Sequence, residues 1–148
     1  MASSSPLRWG IIGTGGIASH TLGDLRLVET AEVLAAASRS QATADAFAAT
    51  HGIAHAFDDV DRMLALPDLD IVYIATPHAR HGDYIRQCLL AGKPVLCEKP
   101  LVPTEHQAQA LIALARAQGV FLMEALWSRF LPVYDVVEGW LQLGAIGE

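Results

Sequence analysis

The sequence predicts an α/β domain built as a doubly wound parallel sheet, and three observations point there. Short apolar, β-branched runs alternate with stretches of helical spacing. The connections between them are only a few residues long, too short to separate domains. The first apolar run also passes through a glycine turn into a helix, at Trp9-Gly10-Ile11-Ile12-Gly13-Thr14-Gly15-Gly16-Ile17-Ala18. Right-handed crossovers and a glycine turn on the first strand select the strand order 3-2-1-4-5-6, the Rossmann arrangement.

Each element has its own local reason. Leu7, Trp9, Ile11 and Ile12 make the first strand, and Ile17, Thr21 and Leu25 space the helix after it. Glu32 to Ser38 reads as a second buried strand. Ser40 caps a helix with Ala44, Phe47 and Ala48 on one face, closed by His51-Gly52. Ala54 to Phe57 is a short third strand, and Asp58 or Asp59 caps a short helix with Val60, Met63 and Leu64 inward. After a turn at Pro67–Asp70, Ile71 to Thr76 is continuous and apolar, as a strand covered on both faces should be. Tyr84, Ile85, Cys88 and Leu89 space the next helix, ended by Gly92, and Pro94 to Lys99 forms the next strand. Thr104-x-x-Gln107 resembles a capping box for a helix with Ala108, Leu111, Ile112 and Ala115 inward. Gly119 follows it, and Val120 to Ala125 is a further strand. Pro132 then opens an amphipathic helix striped with Val133, Val136, Val137, Trp140 and Leu141. Gly144 to Glu148 reads as the entry to another strand.

Bulk properties set the outer bounds. The 148 residues suffice for one sizeable core, and the 52% hydrophobic content excludes a disordered chain. No apolar run approaches the roughly 18–20 residues of a membrane helix. The net charge of −6 with no basic run argues against nucleic acid or an anionic membrane as the main partner. Met1 to Pro6 has neither a basic nor an apolar signal region and reads as a loose tail. The two cysteines, Cys88 and Cys97, form no C-x-x-C, and no Cys/His spacing suits a metal. Buried thiols in a reducing cytoplasm are the expectation.

The glycine turn carries the first functional signal, a G-x-G-x-x-A pattern at Gly13, Gly15 and Ala18. Gly13 lets the chain leave the strand sharply, Gly15 lets a pyrophosphate approach the backbone, and Ala18 lets the helix pack closely on the strand. Thr14, Gly16 and Ile17 complete the turn, whose helix offers free N–H groups and a positive dipole end to phosphate. An ordinary tight turn has the same glycines, so the pattern needs its strand and helix as context.

The end of the second strand selects the cofactor. NAD-binding sheets place Asp or Glu there to hold the ribose 2′-hydroxyl. This chain has Ser38-Arg39-Ser40, two hydroxyls and a guanidinium that would accept a 2′-phosphate. NADP is therefore expected in preference to NAD, and the missing carboxylate also counts against an S-adenosylmethionine enzyme.

Two further clusters fall at carboxyl ends of strands, where such sheets bind ligands. One is Thr76-Pro77-His78-Ala79-Arg80-His81, in which His78 and Arg80 read as loop surface and His81 as a capping, core or site residue. The other is Cys97-Glu98-Lys99-Pro100, where a Lys closes an apolar strand beside an acid. Such a Lys can handle a proton; desolvation and the adjacent Glu act on it in opposite senses, and the residues leave open which prevails.

These motifs together resemble the glucose–fructose oxidoreductase/inositol dehydrogenase/MocA family: the glycine turn, Ala37 to Ser40, Ile74 to Pro77 with His81, and Ala91-Gly92-Lys93-Pro94-Val95-Leu96-Cys97-Glu98-Lys99-Pro100. The stretch Phe121 to Pro132 is most similar to the branch containing trans-1,2-dihydrodiol dehydrogenase and NADP-dependent D-xylose dehydrogenase. The resemblance implies a cofactor domain over residues 7–126. Residues 127–148 would lead to a second α/β domain, outside this chain, that completes the site. It implies that Lys99 assists proton transfer from a sugar or diol hydroxyl, and that Glu98 and His81 border the nicotinamide end. Trp127 and Arg129 would lie near the cofactor or substrate, the Lys99–Pro100 bond would be cis, and the full-length enzyme would be a homo-oligomer. Competing functions are an NAD(P)-sensing regulatory protein, against which Lys99 argues, and an NAD(P)-dependent glycosidase.

Overall fold

The computed structural model describes residues 5–145 and Gly147; residues 1–4 of the tail, with Ile146 and Glu148 of the final run, lie outside the described residues. Six strands form one parallel sheet in the order β3-β2-β1-β4-β5-β6. They are β1 (Leu7–Ile12), β2 (Ala31–Ala37), β3 (His55–Phe57), β4 (Ile71–Ile74), β5 (Val95–Cys97) and β6 (Leu122–Glu124). The helices are α1 (Gly16–Leu25), α2 (Gln41–His51), α3 (Val60–Leu64), α4 (His81–Leu90), α5 (Glu105–Gln118) and α6 (Pro132–Gln142). The expected strand order is the observed one.

The sheet has a core on each face because neighbouring residues of a strand point to opposite sides. Ile11, Ala36, Tyr73 and Ala75 face Ala18 and Leu22 of α1 and Phe47 and Ala48 of α2. Ile12, Ala37, Val72, Ile74 and Cys97 face the other way, onto Met63, Ile85, Cys88, Leu89 and Leu111. Helices on both faces explain why β4 carries no outward polar stripe: all four of its residues are buried.

Register then sets the site. Ile12 pairs with Ala37 and with Ile74, Ile74 with Cys97, and Cys97 with Glu124. One row across the sheet therefore ends together, and the turns that follow it open on the same edge.

Several local expectations need correction. Strands stop earlier than their apolar runs; β4 ends at Ile74 and β5 at Cys97, because Thr76 and Lys99 already belong to loops at the carboxyl edge. In α1 the inward residues are Ala18 and Leu22, while Ile17 is 46% exposed at the cavity described below. In α5, Leu111 and Ala115 are buried but Ile112 is exposed. Of the two candidate caps for α3, it is Asp59 that accepts from Asp61 N, at 2.8 Å. Ser40 and Thr104 cap their helices as read. No residue of α6 is buried, and Val133, Val137, Trp140 and Leu141 are exposed.

Candidate functional site

A cavity of about 1040 Å³ opens at the carboxyl edge of the sheet, over β1 and between β2 and β4. Its floor is Ile12 and Ala37, the last residues of β1 and β2, and Ala75, just beyond the end of β4. Gly13, Thr14, Gly15 and Ile17 form one side, and Ser38, Arg39, Ser40 and Thr43 form the β2 wall. Asp58 and Val60 close the far end after β3, and Thr76, Pro77, Arg80 and Tyr84 make the β4 wall.

The two turn glycines are required for different reasons. Gly13 has φ +104°, and a Cβ there would sit 2.5 Å from Ala75 O. Its bareness lets β1 and β4 close under the turn. A Cβ on Gly15, or on Gly16 beside it, would meet nothing within 4 Å. That space is an open cradle above the N-terminus of α1, whose first turn holds no acidic residue. Thr76 Oγ1, at the opposite wall, is buried with no hydrogen-bond partner. An empty backbone cradle at a helix N-terminus, with an unpartnered buried hydroxyl in the turn after β4, fits the pyrophosphate of a dinucleotide.

At the β2 end, Ser38 Oγ lies 3.0 Å from Thr14 Oγ1, which ties the strand end to the glycine turn. Ser40 is engaged in capping, accepting from Thr43 N at 3.3 Å and sharing a 2.8 Å contact with Thr43 Oγ1. Among the described residues Arg39 has no ion-pair partner. A guanidinium with no internal partner on a cavity wall is available to an anion.

The remaining sequence-identified residues lie outside this cavity. His81 is fully buried; its Nε2 is 2.8 Å from Thr76 O and its Nδ1 3.0 Å from Pro100 O. The ring thus bridges the turn after β4 to the loop after β5, where the Lys99–Pro100 bond is cis. Glu98 is held at both oxygens: Oε1 accepts from Tyr73 Oη at 2.6 Å and Oε2 from Lys99 N at 3.2 Å. Lys99 is exposed and in no ion pair among the described residues. Trp127 and Arg129 sit on a 3-10 turn, Trp127–Phe130, beyond β6; Trp127 is 65% exposed.

Burial has also tuned groups beside the site. It raises the Tyr73 phenol above its ordinary value, helped by the hydrogen bond to Glu98. It pushes the Cys88 thiol up to about 12 and raises Cys97 similarly, with Glu98 adding repulsion. Both thiols are therefore inert packing groups at neutral pH.

Sequence reasoning missed Thr43, Asp58, Val60, Arg80 and Tyr84 as lining, and Tyr73 as the partner of Glu98. Arg80 and Tyr84 stand four apart at the start of a helix, a spacing that places both on one face. Tyr73 is the single polar-tipped residue in an otherwise aliphatic strand, which was the available signal.

A parallel sheet in this order, with a glycine cradle at its switch point, defines a dinucleotide-binding domain. The sequence model of one family, described as the oxidoreductase family with an NAD-binding Rossmann fold (the glucose–fructose oxidoreductase/inositol dehydrogenase/MocA group), matches residues 7–126, and the chain belongs to it. The chain is 41% identical over 143 residues to trans-1,2-dihydrobenzene-1,2-diol dehydrogenase of Xenopus laevis, covering 95% of this chain and 43% of that protein. The Homo sapiens protein of the same name is 36% identical over 144 residues, covering 96% of this chain and 43% of that one. Among solved structures, KijD10, a 3-ketoreductase from Actinomadura kijaniata in complex with NADP and TDP-benzene, superposes with a TM-score of 0.87 at 36% identity. That match covers 97% of this chain and 44% of KijD10. The chain thus spans less than half the length of these relatives.

Proposed function

We propose that this chain is the cofactor-binding part of an NADP-dependent oxidoreductase that moves hydride between nicotinamide and the CH–OH of a sugar or diol. The observation that carries the cofactor choice is the β2 end. Ser38 and Arg39 stand on the cavity wall at the position where an NAD-binding sheet carries a carboxylate. The NADP in the KijD10 complex supports the same choice. Asp58, farther along the cavity, is answered by Arg62 Nη1 at 3.9 Å.

In this reading Gly13 to Ile17 hold the pyrophosphate, Ser38 and Arg39 the 2′-phosphate, and Thr76 and Pro77 the middle of the cofactor. NADP supplies the hydride acceptor when bound. Glu98 and His81 shape the loop at the nicotinamide end, and Lys99 receives the hydroxyl proton as the substrate C–H bond yields its hydride. Trp127 and Arg129 would stand beside cofactor or substrate. Because the Glu98 carboxylate is engaged by Tyr73 and by backbone, the Lys99 amine has no internal ion pair to break before acting. A proton-handling amine kept free favours an enzyme over a cofactor sensor.

Residues 7–126 would form the cofactor domain, with 127–148 leading toward a substrate-binding part. The exposed apolar face of α6 and the 43% span of the dehydrogenase relatives support that division. The free thiols Cys88 and Cys97 suit a cytoplasmic protein. The test is to extend this chain to the length of its relatives and assay oxidation of D-xylose and small trans-diols with NADP. NADP-linked turnover abolished by Lys99→Met is expected; a well-folded, NADPH-binding protein without turnover on any sugar or diol would overturn the reading.

A further inference from the structure

The β4 wall of the cavity carries a second guanidinium. Arg80 ends the 3-10 turn His78–Arg80, which is fastened by Arg80 N donating to Pro77 O at 2.8 Å. Its side chain is fixed twice more. Arg80 Nη1 lies 3.2 Å from Asp83 Oδ2, and Arg80 Cζ stands 5.7 Å from the centroid of the Tyr84 ring. Arg80 and Tyr84 both line the cavity, and so does Arg39.

Topology sets these groups across from one another. β1 lies between β2 and β4, so Arg39, following β2, and Arg80, following β4, come from opposite sides of the strand that carries the glycine turn. Val60, Pro77 and Tyr84 line the same cavity, with one carboxylate, Asp58. An anion alone would not call for this composition. Planar guanidiniums over apolar and aromatic surface suit a flat, electron-rich heterocycle, which stacks on them by dispersion and cation–π attraction. An ion pair at i,i+3 on a surface helix is commonplace. Here, however, the pair holds the guanidinium beside an aromatic ring that is itself cavity wall.

Resting on the NADP reading above, we propose that Arg80, oriented by Asp83 and Tyr84, is a specificity-determining residue that stacks on the adenine base of the cofactor. Arg39 then serves the 2′-phosphate from the other wall. Arg80 acts through its plane, so charge alone does not replace it.

The experiment is calorimetric titration of this chain with 2′,5′-ADP, which contains the adenine and the 2′-phosphate but no nicotinamide. Arg80→Ala and Arg80→Lys are compared with the unmodified chain, and thermal melts confirm folding; at 59% side-chain exposure Arg80 is free to vary. Arg80→Ala is expected to weaken 2′,5′-ADP and NADPH by the same factor, about three- to thirtyfold. Arg80→Lys should lose nearly as much. Full affinity in Arg80→Lys would make Arg80 a mere charge, and full affinity in Arg80→Ala would remove it from the site; either result overturns the inference and leaves the NADP reading intact. If the unmodified chain binds neither ligand, the NADP reading itself fails and this inference with it.

Discussion

Tyr73 Oη donates a 2.6 Å hydrogen bond to Glu98 Oε1, joining the centre of β4 to the loop that follows β5. Thr21 Oγ1 of α1 lies 3.0 Å from the same phenol oxygen, so the helix that follows the glycine turn and the Glu98-Lys99 loop share one buried tyrosine. Tyr73 is 1% exposed, and its hydroxyl is the only polar group it brings into the core on that face. Replacing Tyr73 by Phe leaves the ring and removes the donor. A hydrogen bond to a charged partner contributes about 1.5–3 kcal/mol, so urea unfolding of Tyr73→Phe should show a loss in that range. An unchanged midpoint would mean that Glu98 is equally well satisfied without it.

The same phenol gives an alkaline signature. Its pKa is raised in the folded chain above an ordinary 10.0, so the folded state keeps the proton longer than the unfolded chain. Stability tied to such a group is complete below pH 10 and falls as pH rises past it. Cys88, ordinarily near 9.0 and here about 12, acts in the same sense from pH 9 upward. Melting temperature should therefore decline above pH 9 and more steeply above pH 10. In Tyr73→Phe the steeper part should disappear while the thiol part remains; identical slopes in both proteins would contradict the assignment.

Gly13 and Gly15 should respond oppositely to the same substitution. Gly13→Ala forces a Cβ against Ala75 O at a positive φ, and should cost about 1–3 kcal/mol or more in denaturant titration. Gly15 has φ −86° and open space around it, so Gly15→Ala should fold as well as the parent. Its methyl group fills the phosphate cradle instead, and NADPH affinity should drop roughly tenfold. A Gly15→Ala chain that binds NADPH normally would place the pyrophosphate elsewhere.

Much of the fold was legible because it follows from local pattern. The β-branched run at Ile71–Ile74, the caps at Ser40 and Thr104, and the glycines at 13 and 119 each dictate local backbone, and parallel crossover rules then leave one sheet order. The glycine cradle and the β2 end were legible for the same reason, since both are contiguous in sequence. The rest was not. His81 bridges Thr76 and Pro100, and Tyr73 meets Glu98, across 19 and 25 residues of chain. No spacing rule encodes such pairings; they follow from strand register. Ile112 was misassigned because an apolar residue beside Leu111 fits a helical stripe, although the contact face of α5 runs through Leu111 and Ala115.

Cofactor binding and turnover should separate in this chain. Hydride transfer needs the substrate carbon held about 3–3.5 Å from its acceptor, and that positioning supplies much of the rate. Trp127 and the apolar face of α6 are exposed, and none of their residues lines the cavity. The 148-residue chain is expected to bind NADPH yet show no steady oxidation of D-xylose or trans-diols, and α6 should promote self-association visible by sedimentation. In the protein extended to the length of its relatives, Lys99→Met should lower turnover by about two to four orders of magnitude with little change in NADPH affinity. Steady turnover by the short chain that vanishes with Lys99→Met would show that one domain suffices.

The central claim is that the β2 end selects NADP, and fluorescence titration of this chain with NADPH and NADH tests it most directly. Arg39 stands on the cavity wall with no internal ion pair among the described residues, and Ser38 beside it offers a hydroxyl rather than a carboxylate. NADPH should bind more tightly than NADH. Arg39→Ala should weaken NADPH by roughly ten- to one-hundredfold, the loss expected for one charge-assisted contact, and leave NADH nearly unchanged. Equal affinities for the two cofactors in the unmodified chain, or an Arg39→Ala chain that loses both alike, would contradict the account.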